Sequence, residues 1–251
     1  MATSLYVHIP FCQKICSYCD FSKVLFNQKW AFSYIEALFK EIDSYKIKPH
    51  SQKTIYVGGG TPTSLPDELF ESLLLYLRKF LRAGGEFTVE TNPESLTPLK
   101  IAIMKENGVN RVSIGMQSSN IKLLSLMERE HTYDDVYRCV NNLKTIGISN
   151  INVDLIYALP GEDMSILKED IKALLSLDVP HISTYSLILE DSTKFKNLGY
   201  KEADDSIIAD QYEEILNSLR AVGYERYEVS NYAKPGYESR HNTVYWKNKE
   251  Y

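Results

Sequence analysis

The sequence predicts an α/β fold: a partial (β/α)6 TIM-like barrel with parallel strands. Three observations predict it. Short β-branched or apolar runs alternate with longer amphipathic stretches. Helix-start and helix-stop residues fall where that alternation needs them. Strands and helices follow one another in strict order, which implies parallel strands joined by right-handed crossovers.

Strands are expected at residues 5–9, 54–57, 86–90, 111–115, 152–156 and 182–187. Helical patterning occupies 29–45, 66–82, 97–107, 133–146, 164–177 and 205–222. Ser64-Leu65-Pro66-Asp67-Glu68 and Thr97-Pro98 read as helix starts; Gly108, Gly147 and Gly223 stand where helices should stop. A flat doubly wound sheet is the competing closure. After Gly223 the pattern changes: residues 224–232 are aromatic and polar, and Pro235-Gly236 marks a turn.

With 251 residues, 44% of them hydrophobic, the chain can build one large core. The net charge is −5 and the pI about 5.6, with both signs interspersed, which argues against nucleic acid as the main partner. No apolar run is long enough for a transmembrane segment. Met1-Ala2-Thr3-Ser4 lacks a signal-peptide pattern, so the cytoplasm is the expected compartment.

Of the four cysteines, Cys12, Cys16 and Cys19 share one short run with spacing Cys-x3-Cys-x2-Cys. In a reducing compartment, clustered cysteines favour metal or catalysis over disulfides. Three thiolates on one loop suit three corners of a [4Fe–4S] cubane, whose fourth iron stays open. Structural zinc wants four ligands, and His8 does not complete a usual spacing. Cys139 joins Val136, Val140 and Leu143 in an apolar helical stripe and reads as a core thiol.

The other strand ends also carry polar groups, as barrel sites require. Strand two runs into Gly58-Gly59-Gly60-Thr61-Pro62, which lets backbone approach a ligand and is not a P-loop. Alone, it would be a tight turn. Glu90 ends strand three and could accept from sugar hydroxyls. Gln117 ends strand four, and Arg129 offers a fork for a carboxylate, although Glu128 and Glu130 flank it as on an exposed helix. Asp154 stands in an apolar strand, where an unpaired acid is costly. His241-Asn242-Thr243-Val244-Tyr245-Trp246 places an imidazole beside flat aromatic surface.

Cys-x3-Cys-x2-Cys just after the first strand resembles the signature of the radical S-adenosylmethionine (SAM) superfamily. The resemblance implies that SAM chelates the open iron through its amino and carboxylate groups. Tyr6-Val7-His8-Ile9-Pro10-Phe11-Cys12, Gly58 to Pro62, Glu90, Gln117, Arg129 and Asp154 together resemble the oxygen-independent coproporphyrinogen III oxidase group. The likeness runs from residue 5 to the C-terminus. It implies SAM contacts at Tyr6, Tyr18, Gly59, Gly60, Thr61, Glu90, Gln117, Arg129 and Asp154.

That group contains oxidases of porphyrin biosynthesis and heme chaperones. Three features favour the chaperones. Phe21 stands where oxidases carry a further cysteine, few residues precede the first strand, and residues 241–246 match a His-Asn-x-x-Tyr-Trp motif. The resemblance implies heme on His241, with Tyr245 and Trp246 as contacts. Its implied partners are heme-accepting proteins, a flavodoxin- or ferredoxin-type electron donor and a second copy in a homodimer. It divides the chain into a barrel at 1–223 and, at 224–251, the start of a C-terminal extension with a further domain beyond. The oxidase reading, radical decarboxylation of coproporphyrinogen III, is the alternative, so enzyme activity stays open.

Overall fold

The computed structural model describes residues 2–251. In chain order its elements are β1 (Ser4–Ile9), β2 (Phe11–Cys12), β3 (Val24–Leu25), α1 (Gln28–Ser44), β4 (Gln52–Gly59), α2 (Asp67–Leu77), β5 (Leu81–Thr91), α3 (Pro98–Glu106), β6 (Arg111–Gln117), α4 (Ile121–Leu126), α5 (Tyr133–Thr145), β7 (Asn150–Tyr157), α6 (Met164–Ser176), β8 (His181–Ser186), α7 (Lys194–Asn197), α8 (Asp205–Ala221), β9 (Glu225–Arg226), β10 (Asn231–Ala233) and α9 (Asn242–Trp246).

The main sheet runs β1-β4-β5-β6-β7-β8-β10-β9. Its first six strands are parallel, whereas β10 and β9 continue it antiparallel. The sheet ends at β1 and β9, which do not pair with each other, so the barrel is partial. This is the expected α/β class, and the doubly wound alternative is set aside.

Alternation along each strand decides what faces where. One face carries Ile55 and Val57, Phe87 and Val89, Val112 and Ile114, and Ile151 and Val153. All are buried in the main apolar cluster, against α1 residues such as Ile35 and α2 residues such as Leu73 and Leu77. At about 25 cal/mol per Å² of apolar surface, this layer is the dominant favourable term. The other face is polar: Tyr56, Glu90, Arg111, Ser113, Asn152, Asp154 and Ser183 line a common cavity inside the barrel. Asp154 therefore belongs to a polar stripe with Asn152, not to an apolar strand.

Helix punctuation follows the sequence closely. Thr97 caps α3 by accepting from the Lys100 amide, with Pro98 in the first turn. Gly108, Gly147 and Gly223 adopt positive φ after α3, α5 and α8. The pattern at 66–82 overreached: α2 stops at Leu77, and Leu81 already pairs with Gln52 at the start of β5. The apolar Phe80-Leu81 pair extends the helical periodicity but serves the strand.

Residues 224–251 pack against the barrel. β10 lies along β8, with Tyr232 opposite Ile182. The chain then returns beneath the sheet, where the Arg240 and His241 amides both donate to the Glu86 carboxylate, at 3.0 and 2.9 Å. No helix among the described residues is long and apolar enough to cross a membrane.

Candidate functional site

The cysteine loop follows β1. Pro10 and Phe11 turn the chain over the barrel mouth, and the parallel pairing of β2 with β3 closes the loop between them. His8 braces it, bonding through Nε2 to the Ser22 carbonyl at 2.8 Å. Cys12, Cys16 and Cys19 are free thiols, and all three line a cavity of about 440 Å³ inside the barrel. Burial pushes the Cys12 and Cys19 thiols up, so the protein alone does not hold them as thiolates. A bound metal would supply that stabilisation. Among the described residues, no three His, Cys, Asp or Glu side chains converge on a position for a single ion. Thiols spread along one loop suit separate irons of a cubane better than one tetrahedral zinc.

The glycine run lies where backbone meets backbone. A Cβ on Gly60 would come within 2.8 Å of the Pro10 carbonyl, and one on Gly59, at φ +113°, within 2.5 Å of the His8 ring. The run thus packs directly under the cysteine loop, and the Gly60 and Thr61 amides donate to the Ile9 and Phe11 carbonyls. The Thr61 hydroxyl lies 3.6 Å from Cys12 Sγ.

Glu90 ends the inward row of β5. Tyr56 donates to its Oε1 at 2.6 Å and the Gly59 amide to its Oε2 at 3.0 Å. Burial raises its carboxyl to about 7 against these two bonds. Asp154 accepts from Asn152 at 2.7 Å and from Ser113 at 3.4 Å, and burial raises it too. Gln117 sits at φ +67°, beside the register shift between β6 and β7. A non-glycine residue in the left-handed region is strained, and such strain collects at functional sites.

Arg129 is not an exposed helix charge; it is 7% exposed and lines the cavity. Its guanidinium donates to the Gly115 carbonyl at 2.8 Å and to Glu94 Oε2 at 3.3 Å, and it lies 3.8 Å from Cys16 Sγ. Buried His131 completes the cluster, between Glu94 at 3.0 Å and the Met116 carbonyl at 2.9 Å. Burial opposes ionisation of Glu94, but the His131 bond and the Arg129 charge prevail and hold it down at about 2.

The cavity therefore gathers all three cysteines with Tyr18, Gly59, Gly60, Thr61, Glu90, Gln117, Arg129 and Asp154. Tyr6 is not in its wall: the ring stacks on Tyr56 at 6.0 Å, and the hydroxyl lies 3.1 Å from His8 Nδ1. Sequence reading missed Tyr56, Arg111 and Asn242, which do line it. Arg111 is 1% exposed, and its Nε has no partner. The inward alternation of Arg111, Ser113 and Gly115 was the available signal.

His241 is fully buried beneath the cavity. Its Nδ1 meets Thr54 Oγ1 and its Nε2 meets the Tyr245 hydroxyl, each at 2.8 Å, and its ring stacks on Tyr56 at 5.0 Å. Burial, helped by the Arg111 charge, lowers it to about 4, so the ring is neutral. Tyr245 is 36% and Trp246 59% exposed.

A parallel part-barrel with a Cys-x3-Cys-x2-Cys loop over a polar cavity defines the radical SAM class of proteins. The sequence profile of that superfamily matches residues 6–174. Two proteins named heme chaperone HemW, from Lactococcus lactis and Bacillus subtilis, are 45% and 40% identical to this chain; each match covers 99% of it. The chain spans 66% and 68% of the length of those two relatives. Among solved structures, the Escherichia coli coproporphyrinogen III oxidase HemN, described as a radical SAM enzyme, superposes with a TM-score of 0.85 at 26% identity. That match covers 97% of this chain and 58% of HemN. Streptococcus suis SuiB bound to S-adenosylmethionine shares the fold, with a TM-score of 0.63 at 15% identity over 88% of this chain and 48% of its own. The chain belongs to the radical SAM superfamily and, within it, to the HemW family.

Proposed function

We propose that the chain binds heme and passes it to acceptor proteins, as the name of its relatives describes, with a [4Fe–4S] cluster on Cys12, Cys16 and Cys19 and exchangeable SAM in the cavity beside it. One observation carries this reading: the three thiols, the glycine run, Glu90, Gln117, Arg129 and Asp154 face one cavity, and Asn242 of the His-Asn-x-x-Tyr-Trp segment is in the same wall. A reduced cluster with SAM on its open iron supplies radical chemistry; in this reading cluster and SAM serve a structural or regulatory purpose. The residues divide the work by chemistry. Gly59 and Gly60 let backbone approach the methionyl amine, Arg129 offers donors to the carboxylate, and Glu90 accepts from ribose hydroxyls. His241, Tyr245 and Trp246 would hold heme, offering an imidazole and flat aromatic surface once the bonds of His241 to Thr54 and Tyr245 are released. We extend the proposal to residues 224–251 as the start of a C-terminal extension whose β9 and β10 join the barrel sheet, to a cytoplasmic location, and to a flavodoxin- or ferredoxin-type donor and a homodimer as partners.

The structural likeness to HemN keeps an oxidase reading as the second. Against it stands Phe21, 64% exposed at the place of the further cysteine. Anaerobically reconstituted protein is expected to take up heme stoichiometrically and to leave coproporphyrinogen III unchanged. Formation of protoporphyrinogen would reverse the ranking.

The raised Glu90 carboxyl adds a pH dependence. An ionised carboxylate accepts from hydroxyls at both oxygens, whereas the protonated acid gives up part of that capacity. SAM affinity should therefore rise with pH until about 7 and then level, falling by at most about tenfold per pH unit below that value. The SAM-free fold behaves oppositely. Because the folded value of about 7 lies above the usual 4.5, its stability declines as pH rises through that window. Glu90→Gln should flatten both profiles. A SAM dissociation constant independent of pH in the wild-type protein would remove Glu90 from the contact.

A further inference from the structure

Arg111 opens β6, and its guanidinium lines the cysteine cavity although the residue is 1% exposed. A guanidinium keeps its charge, and a buried charge is costly unless it is paired. Arg111 is not paired. Its Nε has no hydrogen-bond partner, and it enters none of the ion pairs among the described residues. The carboxyls that share its cavity wall are committed elsewhere. Glu90 accepts from Tyr56 and from the Gly59 amide, and Asp154 accepts from Asn152 and Ser113. Burial pushes both acids up against the pull of the Arg111 charge, so neither readily ionises to balance it. Thr88, the register partner of Arg111 on β5, carries another buried oxygen without a partner. Orphaned polar atoms of this kind are rare in folded proteins, and a bound ligand is one of the few things that account for them.

Position along the strand separates this charge from the donors offered to SAM. Arg129 bonds to the Gly115 carbonyl, which lies about 13 Å further along β6 toward the cysteine loop than Arg111. Ser113, Asn152 and Asn242 line the cavity with Arg111 at the deeper end. We propose that this deep end is a second ligand site, where Arg111 holds the carboxylate of a small aliphatic acid bound together with SAM. The site rests on the SAM reading above for its neighbour and not on the heme reading. The guanidinium fork matches the two oxygens of a planar carboxylate. A monoanion suits the site better than phosphate, because Glu90 and Asp154 stand in the same wall and oppose a second negative charge. The cavity, about 440 Å³ in all, has SAM to hold as well, which limits the second ligand to a short carbon chain.

Propionate is the probe. In equilibrium dialysis the anaerobically reconstituted chain should take up radiolabelled propionate at a single saturable site, with saturating SAM as well as without it. Phosphate at equal ionic strength should leave the bound propionate in place. Arg111→Met should weaken propionate at least about tenfold, the loss of one charge-assisted bond, with iron content unchanged. The same variant should unfold at no lower urea concentration than wild type, because an apolar chain of similar size replaces an unpaired buried charge. Crystals of the wild-type chain soaked in 3-bromopropionate read the site directly: the carboxylate should lie on the Arg111 guanidinium and the bromine, located by anomalous scattering, inside the cavity. No saturable uptake, displacement by phosphate, or bromine outside the cavity overturns the proposal. Displacement of propionate by SAM overturns it too, by making Arg111 part of the SAM site. A methionine variant that unfolds at clearly lower urea makes Arg111 a structural charge, with the same consequence. Propionate uptake intact in a chain that takes up no SAM counts against the SAM reading and leaves the carboxylate on Arg111.

Discussion

Replacing any one of Cys12, Cys16 and Cys19 by alanine is expected to leave the anaerobically reconstituted chain without stable iron and sulfide and to weaken SAM at least about tenfold, or 1.4 kcal/mol. The expectation comes from the donor set. The thiols stand on one loop with no fourth cysteine in reach, since Cys139 lies in α5 with its Sγ 3.8 Å from the Pro93 carbonyl. Two remaining thiolates would hold a cubane poorly, and the open iron proposed to chelate SAM would go with it. Cys139→Ala is the control. Cys139 is 6% exposed in the main apolar cluster, so its loss should cost about 1 kcal/mol of stability and leave iron, sulfide and SAM affinity unchanged. Iron, sulfide and zinc analysis decides the matter. A preparation that holds zinc in place of iron, or a Cys16→Ala chain that still carries a full cluster, would end the cluster assignment.

How far the sequence discloses such a site depends on whether its parts are local. The cysteine spacing, the glycine run and each strand end are contiguous, and all were legible before any fold was known. So was the barrel, because short apolar runs alternate with longer amphipathic stretches, and Thr97, Gly108 and Gly147 mark helix ends in single residues. The short elements β2, β3, α4 and α7 were not legible; two-residue strands and helices of six and four residues, less than two turns, carry no period to read. Relations between distant residues were hidden for a different reason. His241 sits 187 positions from the Thr54 that holds it, and nothing in His-Asn-x-x-Tyr-Trp indicates that its histidine faces inward. Tyr56 looked like one more strand aromatic, although its hydroxyl and ring join Glu90 to His241. Arg129 was legible as a fork for a carboxylate, but its buried partner Glu94, 35 residues away, was not.

That hidden partner sets the second large effect. Arg129→Met should destabilise the fold by about 3 kcal/mol in chemical denaturation, the lower end for breaking a buried ion pair. The guanidinium is 3% exposed at its side chain and Glu94 28%, so water recovers only part of what Glu94 loses. The acid gives an upper limit of the same size for Arg129 and His131 together. Its fall from 4.5 to about 2 corresponds, at 1.36 kcal/mol per tenfold, to about 3 kcal/mol shared between Arg129 and His131. The sign is that of a depressed carboxyl: the stabilisation is complete above about pH 4.5 and fades as pH falls toward 2. Arg129→Met should accordingly lose most of its deficit relative to wild type in acid, once Glu94 is protonated in both proteins. Arg129→Lys separates charge from geometry. An ammonium can still face Glu94, but it cannot also present the fork that spans the Gly115 carbonyl and an incoming carboxylate. Lysine should therefore restore a large share of the stability and little of the SAM affinity. If the methionine variant costs less than about 1 kcal/mol at neutral pH, Arg129 is not the residue that holds Glu94 ionised.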